Sequence, residues 1–304
     1  MGSKKLLENF TKEFCLPIHI FEYPYFGYLM DLYDKDYNTW YYYDLLSKAL
    51  NKTGSEKYFF ITYNLIRENV SNSIVNSSEY ELFNKSVEWE NNYKFKRQNI
   101  YIPKNNNKLF FSIDLKQANF YSVKYFFKGL VRNCDTYEEF ISLFTDLEYI
   151  KESRRFRMII FSILTQQKLD ILQIKLLNNA MSLVKRHFSE NSIIVTSPDE
   201  FVVTLNNPAD YIQNKELQND IKLLEKKLQV KFNKNVFRLK QLKPFNYFIK
   251  EHENGKVQFK NVPKMYFPQV YKRYYNMKLS NYDLMVYKNF KLNKFRNVLK
   301  FVNC

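Results

Sequence analysis

The sequence predicts an α+β fold: an antiparallel sheet with packed helices, a mainly helical N-terminal region and a basic C-terminal extension. Three observations predict it. Short β-branched or aromatic runs end in turn residues at KLFFSID (Lys108–Asp114) and on both sides of SPDE (Ser197–Glu200). Apolar residues recur at helical spacing between them, as in Leu169, Leu172, Leu176, Ala180, Leu183 and Val184. Finally, Asn254-Gly255 stands between two strand-like runs, the strongest short hairpin signal in the chain.

The 304 residues are 45% hydrophobic and 18% aromatic, with 25 Tyr and 28 Phe, enough apolar material for a sizeable core and unlike a disordered chain. Residues 1–107 read as a mainly helical, aromatic-rich region, with YYYD at Tyr41–Asp44 and a polar loop at about 70–78. The run from Asn92 to Lys108 interleaves Tyr93, Phe95 and Tyr101 with Lys94, Lys96, Arg97 and Lys104. Such a run pairs stacking faces with phosphate-binding charge, or forms an alternating edge strand before an Asn-rich turn.

Residues 108–263 read as the core. The strand ending at Asp114 leads into a helix with Ala118, Tyr121, Tyr125 and Leu130 on its apolar side, closing near Gly129. Thr136 and Glu139 have capping-box spacing, opening a helix towards Ile150. A longer helix follows over about 167–188. Ile193–Thr196 and Phe201–Leu205 form a hairpin with Asp199 and Glu200 at its turn. Residues 209–230 are helical, and strands flank Asn254-Gly255. The tail, 264–304, is basic and Tyr-rich and ends in a helix over 281–302.

Charge and absences narrow the chemistry. Lys and Arg number 47 against 31 Asp and Glu, a net charge of +16 that attracts polyanions, so DNA or RNA is the expected partner. An AT-rich codon bias towards Lys, Asn, Tyr, Phe and Ile contributes to the same composition. The three cysteines, Cys15, Cys134 and Cys304, form no close pair, which argues against a disulfide framework and a zinc cluster. No apolar run nears the roughly 20 residues of a membrane span, so no membrane is expected, and the expected location is cytoplasmic. Five scattered glycines exclude a P-loop or GxGxxG, and three histidines include no HExxH. Carboxylate chemistry remains.

Metal-dependent phosphoryl transfer needs carboxylates from separate segments brought together, because paired ions about 3.5–4 Å apart stabilise attacking and leaving oxygens. Asp114 ends one strand, and Asp199 and Glu200 occupy a hairpin beyond a helical stretch. Capping of the following helix by Asp114 and ordinary turn chemistry at Pro198-Asp199-Glu200 are the alternative roles. SRRFRMIIF places Arg154, Arg155 and Arg157 between the two acid sites, as a phosphate clamp or a solvated helix end. Lys116, Lys124, KVQFKNVPK and the KRYY of Lys272–Tyr275 are further candidates for backbone contact.

The segment FFSIDLKQANFYSVKYF resembles the first catalytic motif of palm-domain nucleic-acid polymerases. DLKQA is similar to the reverse-transcriptase pattern, and FYSVK to the Phe-x-Ser-Val-Glu of translesion polymerases, with one more residue after the Asp. TSPDEFVV resembles the translesion Ser-x-Asp-Glu motif, with Pro198 as a departure. The resemblance covers roughly 30 residues. It implies a palm-like sheet and a polymerase-like nucleotidyltransferase using Mg2+ (or Mn2+). Asp114, Asp199, Glu200 and the Leu115 carbonyl would be metal ligands, and Phe120 or Tyr121 would lie under the incoming sugar. The implied partners are DNA or RNA, nucleoside triphosphates and protein subunits of a replication or transcription complex, in a virus, phage or mobile element. The rival expectations are a non-catalytic nucleic-acid-binding or accessory protein with a degenerate palm and, last, a metal-dependent nuclease.

Overall fold

A computed structural model describes residues 2–85, 97–288, 291–295 and 298–301. Five helices open the chain: α1 (Lys4–Glu13), α2 (Tyr25–Tyr37), α3 (Thr39–Thr53), α4 (Glu56–Val75) and α5 (Ser78–Lys85). The polar stretch expected as a loop at 70–78 is instead the end of α4, a two-residue turn and the start of α5. Phe59, Ile66, Val70 and Ile74 recur on one buried stripe, and the Ser and Asn residues between them occupy its other faces. A polar composition concealed a helical period.

The sheet region follows as β1 (Leu109–Leu115), α6 (Ala118–Phe126), α7 (Tyr137–Ser142), α8 (Glu148–Glu152), α9 (Arg154–Ile160), α10 (Gln166–Val184), β2 (Ile193–Ser197) and β3 (Glu200–Leu205). It continues through α11 (Ala209–Ile212), α12 (Lys215–Leu228), β4 (Phe232–Leu242), β5 (Tyr247–His252) and β6 (Val257–Lys260). The strand at Asp114, the long helix, the hairpin around Asp199 and the Asn254-Gly255 turn all form where expected, with Gly255 at a φ of 79°. Thr136 does cap, accepting from the Glu139 amide at 3.1 Å, but the Glu139 carboxylate closes on the Asp135 amide, and two short helices replace the single expected one. The Asn214 side chain caps α12 at the Leu217 amide, 2.9 Å, which splits the helix expected over 209–230.

The chain ends in α13 (Phe267–Tyr274) and a hairpin of β7 (Met285–Lys288) and β8 (Lys291–Lys294). The helix expected over 281–302 is therefore absent from the described residues. Asp283 turns fully inward to Lys272, at 2.9 Å, and closes a capping box with Ser280 around a single 3-10 turn. Beyond it Met285 and Tyr287 pack inward at a spacing of two, the period of a strand.

The six strands are ordered β2-β3-β1-β4-β5-β6, every neighbouring pair antiparallel. Since β3 opposes both β1 and β2, those two run parallel with β3 between them. α6 to α10 connect β1 to β2, and α11 and α12 connect β3 to β4. This is a split β-α-β arrangement. Leu109, Phe111, Ile113 and Leu115 of β1, with Phe201, Val203 and Leu205 of β3, join the main core on the helical face. The opposite face carries Phe110, Val202, Phe237, Leu239 and Phe248, covered at one end by Ile100. Alternation from Phe110 and Val202 puts Ser112, Asp114 and Glu200 on this second face, beyond the apolar cover.

The main core is continuous from Leu6 to Tyr271, so the C-terminal segment packs with the N-terminal helices. Tyr33 of α2 meets the rings of Phe267 and Tyr271 at 5.3 and 5.2 Å. Among the described residues no helix is long and apolar enough to cross a membrane.

Candidate active site

Asp114 is the penultimate residue of β1, and its register partners are Glu200 on β3 and Asn233 on β4. The hairpin turn after β2 is Pro198-Asp199, between the paired Ser197 and Glu200. One further hydrogen bond brings that turn against the end of β1: the Leu115 amide donates to the Asp199 carbonyl at 2.8 Å. Asp114, 85 residues before Asp199 in the chain, thus shares one corner of the sheet with Asp199 and Glu200. After Lys116, Gln117 enters the left-handed region at a φ of 47° and donates to Glu138 at 2.7 Å, turning the chain into α6. This tight reversal leaves Asp114 facing a cleft.

The electrostatics are unbalanced at Asp114. Burial pushes its carboxyl up to about 6; the neighbouring Asp199 and Glu200 charges push the same way, against a hydrogen bond from Asn233 Nδ2 at 2.9 Å. Asp199 Oδ1 accepts from Ser197 Oγ at 2.6 Å. Glu200 is turned elsewhere: its Oε2 accepts from Thr196 Oγ1 at 2.8 Å and its Oε1 lies 3.3 Å from Lys250 Nζ. Among the described residues no group of three or more His, Cys, Asp or Glu side chains is arranged to hold a metal ion. Asp114 and Asp199 face the cleft; Glu200 faces a lysine.

The cleft, about 1410 Å³, runs from Asp114, Leu115, Lys116 and Asp199 to Arg154 and Arg157 of α9 and Lys260 of β6. Its far wall comes from the N-terminal helices and α13, with Phe14, Tyr37, Tyr42 and Phe267. Burial and the charges of Lys250 and Arg154 hold the Lys260 ammonium below its ordinary range. Arg157 also lies 5.1 Å from the centre of the Tyr137 ring.

Several expected site residues are not on this cleft. Phe120 is fully buried against Tyr121 and Tyr137, and Tyr121 is covered beneath Lys124, so neither offers a ring to a ligand. They are core because Phe120 and Val123, not Tyr125, point inward; Tyr125 is exposed. Arg155 lies off the cleft wall, and its charge acts on buried Glu13 of α1. One helical turn separates Arg154 and Arg157, whereas Arg155 projects from another side. Lys124 is buried on Asp135 at 3.2 Å and Lys272 on Asp283, which removes both from nucleic-acid contact.

Of the aromatic-basic run, Tyr93, Lys94, Phe95 and Lys96 lie outside the described residues. Arg97 reaches the cleft but pairs with Asp170 at 2.9 Å, and Tyr101 lies against Phe248 on the sheet. Asn233 and Lys250 escaped the sequence reading because no motif contains them; only strand register sets them beside the acids. Comparison with protein-family models, curated proteins and solved structures finds no match for this chain.

Proposed function

We propose that this chain is a palm-type nucleotidyltransferase that extends a primer on a DNA or RNA template from nucleoside triphosphates, dependent on Mg2+ or Mn2+. The observation that carries the reading is the juxtaposition of Asp114 and Asp199, one ending β1 and the other in the β2–β3 turn, tied by the Leu115 amide. The split β-α-β sheet supports it, with helices on one face and the acids on the other, as a palm requires. The motif resemblance points to the same two carboxylates.

The donor set suits a hard divalent cation. Asp114 and Asp199 are oxygen ligands, and Asp114 Oδ1 and Asp199 Oδ2 accept no hydrogen bond from the described residues. Ionised Asp114 is destabilised by burial and by its acidic neighbours, and a cation relieves that penalty. The bound ion would supply charge neutralisation at the reacting phosphate. Arg154 and Arg157 present two guanidinium groups to the same cleft, suited to phosphate oxygens, with Lys116 and Lys260 as further cations. Asn233 orients the Asp114 carboxylate through its hydrogen bond.

Primer extension with purified protein tests the reading. Asp114→Asn and Asp199→Asn should each lower the extension rate by at least about 100-fold, with template binding changed less than about twofold. Extension that survives both substitutions overturns it, and binding without any metal-dependent turnover in the wild type favours a non-catalytic nucleic-acid binder.

A further inference from the structure

The second acid of the hairpin turn region, Glu200, has a partner of its own. Both carboxylate oxygens are engaged, Oε2 by Thr196 Oγ1 at 2.8 Å and Oε1 by the Lys250 ammonium at 3.3 Å. Lys250 is only 5% exposed. It reaches across the second face of the sheet from β5 with its Nζ 4.5 Å from the Phe237 ring centre and 5.9 Å from that of Tyr101. Two aromatic rings, a carboxylate and the surrounding sheet therefore hold this ammonium in one place.

Charge counting gives the arrangement a consequence. Three ionised carboxylates at the corner carry three negative charges, and the Lys250 ammonium offsets one. Before Lys260 and Arg154 of the cleft wall are counted, the two that remain match at most a single divalent ion. A second such ion would leave the half-buried corner net positive beside Lys260 and Arg154, whose charges already crowd it.

Resting on the proposed metal-dependent reaction, we propose that Lys250 is a built-in counter-cation for Glu200, supplying the positive charge that a second divalent ion would otherwise bring. Asp114 and Asp199 alone hold the protein's metal. Glu200 is then a positioning residue that fixes Lys250, rather than a metal ligand.

Mn2+ binding to the full chain without nucleotide, followed by electron paramagnetic resonance and calorimetry, tests this directly. Wild type should bind one Mn2+. Glu200→Gln leaves the Lys250 charge unmatched and should weaken binding by no more than about fivefold, whereas Asp114→Asn, which removes a ligand as well as a charge, should weaken it at least about fiftyfold. Lys250→Met, which keeps the packing on Phe237 but frees Glu200, should bind Mn2+ at least about fivefold more tightly or take up a second ion, and Lys250→Arg should restore wild-type behaviour. Circular dichroism identifies a variant that has not folded; if Lys250→Met fails, Glu200→Gln decides. Two ions in wild type, no Mn2+ binding at all, or a loss in Glu200→Gln equal to that in Asp114→Asn overturns the inference. Loss of binding in Glu200→Gln leaves the polymerase reading standing, since that reading falls only if extension survives without Asp114 and Asp199.

Discussion

Asp114 carries a cost that the folded chain tolerates. Its carboxyl titrates near 6, above the 3.8 of an ordinary Asp, so the native state holds a proton more tightly than the unfolded chain does. The contribution is fully present below about pH 3.8 and is lost as the pH rises through about 6. At neutral pH the ionised group destabilises the fold by up to about 3 kcal/mol. Asp114→Asn should therefore raise the melting temperature at pH 7.5 and leave it nearly unchanged at pH 4, as read by calorimetry at both values. Asn233→Ala should act in the opposite sense on the acid itself. Without the amide that favours its ionised form, the acidic limb of the pH–rate profile for extension should move to higher pH.

Among the elements, α9 shows how a short helix can be held in place. Ser153 caps it by accepting from the Phe156 amide at 2.9 Å, and the same hydroxyl donates to buried Glu13 of α1, whose other oxygen accepts from Tyr63 of α4 at 3.0 Å. Three helices thus converge on one carboxylate, and the helix they fix presents Arg154 and Arg157 to the cleft. Ser153→Ala should cost about 1 kcal/mol for the cap and about 1–3 kcal/mol more for a buried oxygen left without its donor. Urea unfolding measures the sum, and a rise in KM for nucleotide larger than any fall in kcat would show that the arginines had moved. None of this was legible in SRRFRMIIF, where the three arginines look alike. Helical phase separates them, and the buried side is known only once α1 and α4 are in place. The hairpins were legible because Pro198-Asp199 and Asn254-Gly255 are local turn chemistry. The polar stretch in α4 was not, because Val70 and Ile74 are too sparse to reveal the period without a core to bury them.

For the whole molecule, α2 is tied to the segment that runs from α13 to β7. Asp283 is fully buried, takes Lys272 at 2.9 Å and accepts from Tyr28 of α2, while Tyr271 and Tyr275 donate to Asp36, each at 2.7 Å. Asp283→Ala leaves the Lys272 ammonium buried without its counter-charge and should destabilise the protein by about 3–5 kcal/mol in denaturant titration. The net charge of +16 acts at the same scale. If Lys116, Arg154, Arg157, Lys260 and Lys264, all on the cleft, meet phosphates, log K for duplex binding should fall against log[salt] with a slope of about −4 to −5, and Lys116→Ala should reduce it by about 1.

The sequence by itself determined the α+β class, the strand that ends at Asp114, the long helix, both hairpins, the acids' position at strand ends and the basic character. Each of these depends on local periodicity, turn residues or composition, which a chain displays without being folded. Only the tertiary structure decided that the Asp199 turn lies against the end of β1 and that Glu200 faces Lys250. It also decided that Phe120 is core and that the C-terminal segment forms a hairpin on the N-terminal helices. Those outcomes depend on strand register and on which face of each element is buried. Both are set by contacts between residues far apart in sequence, where a shift of one residue in a strand would send Asp114 to the opposite face of the sheet.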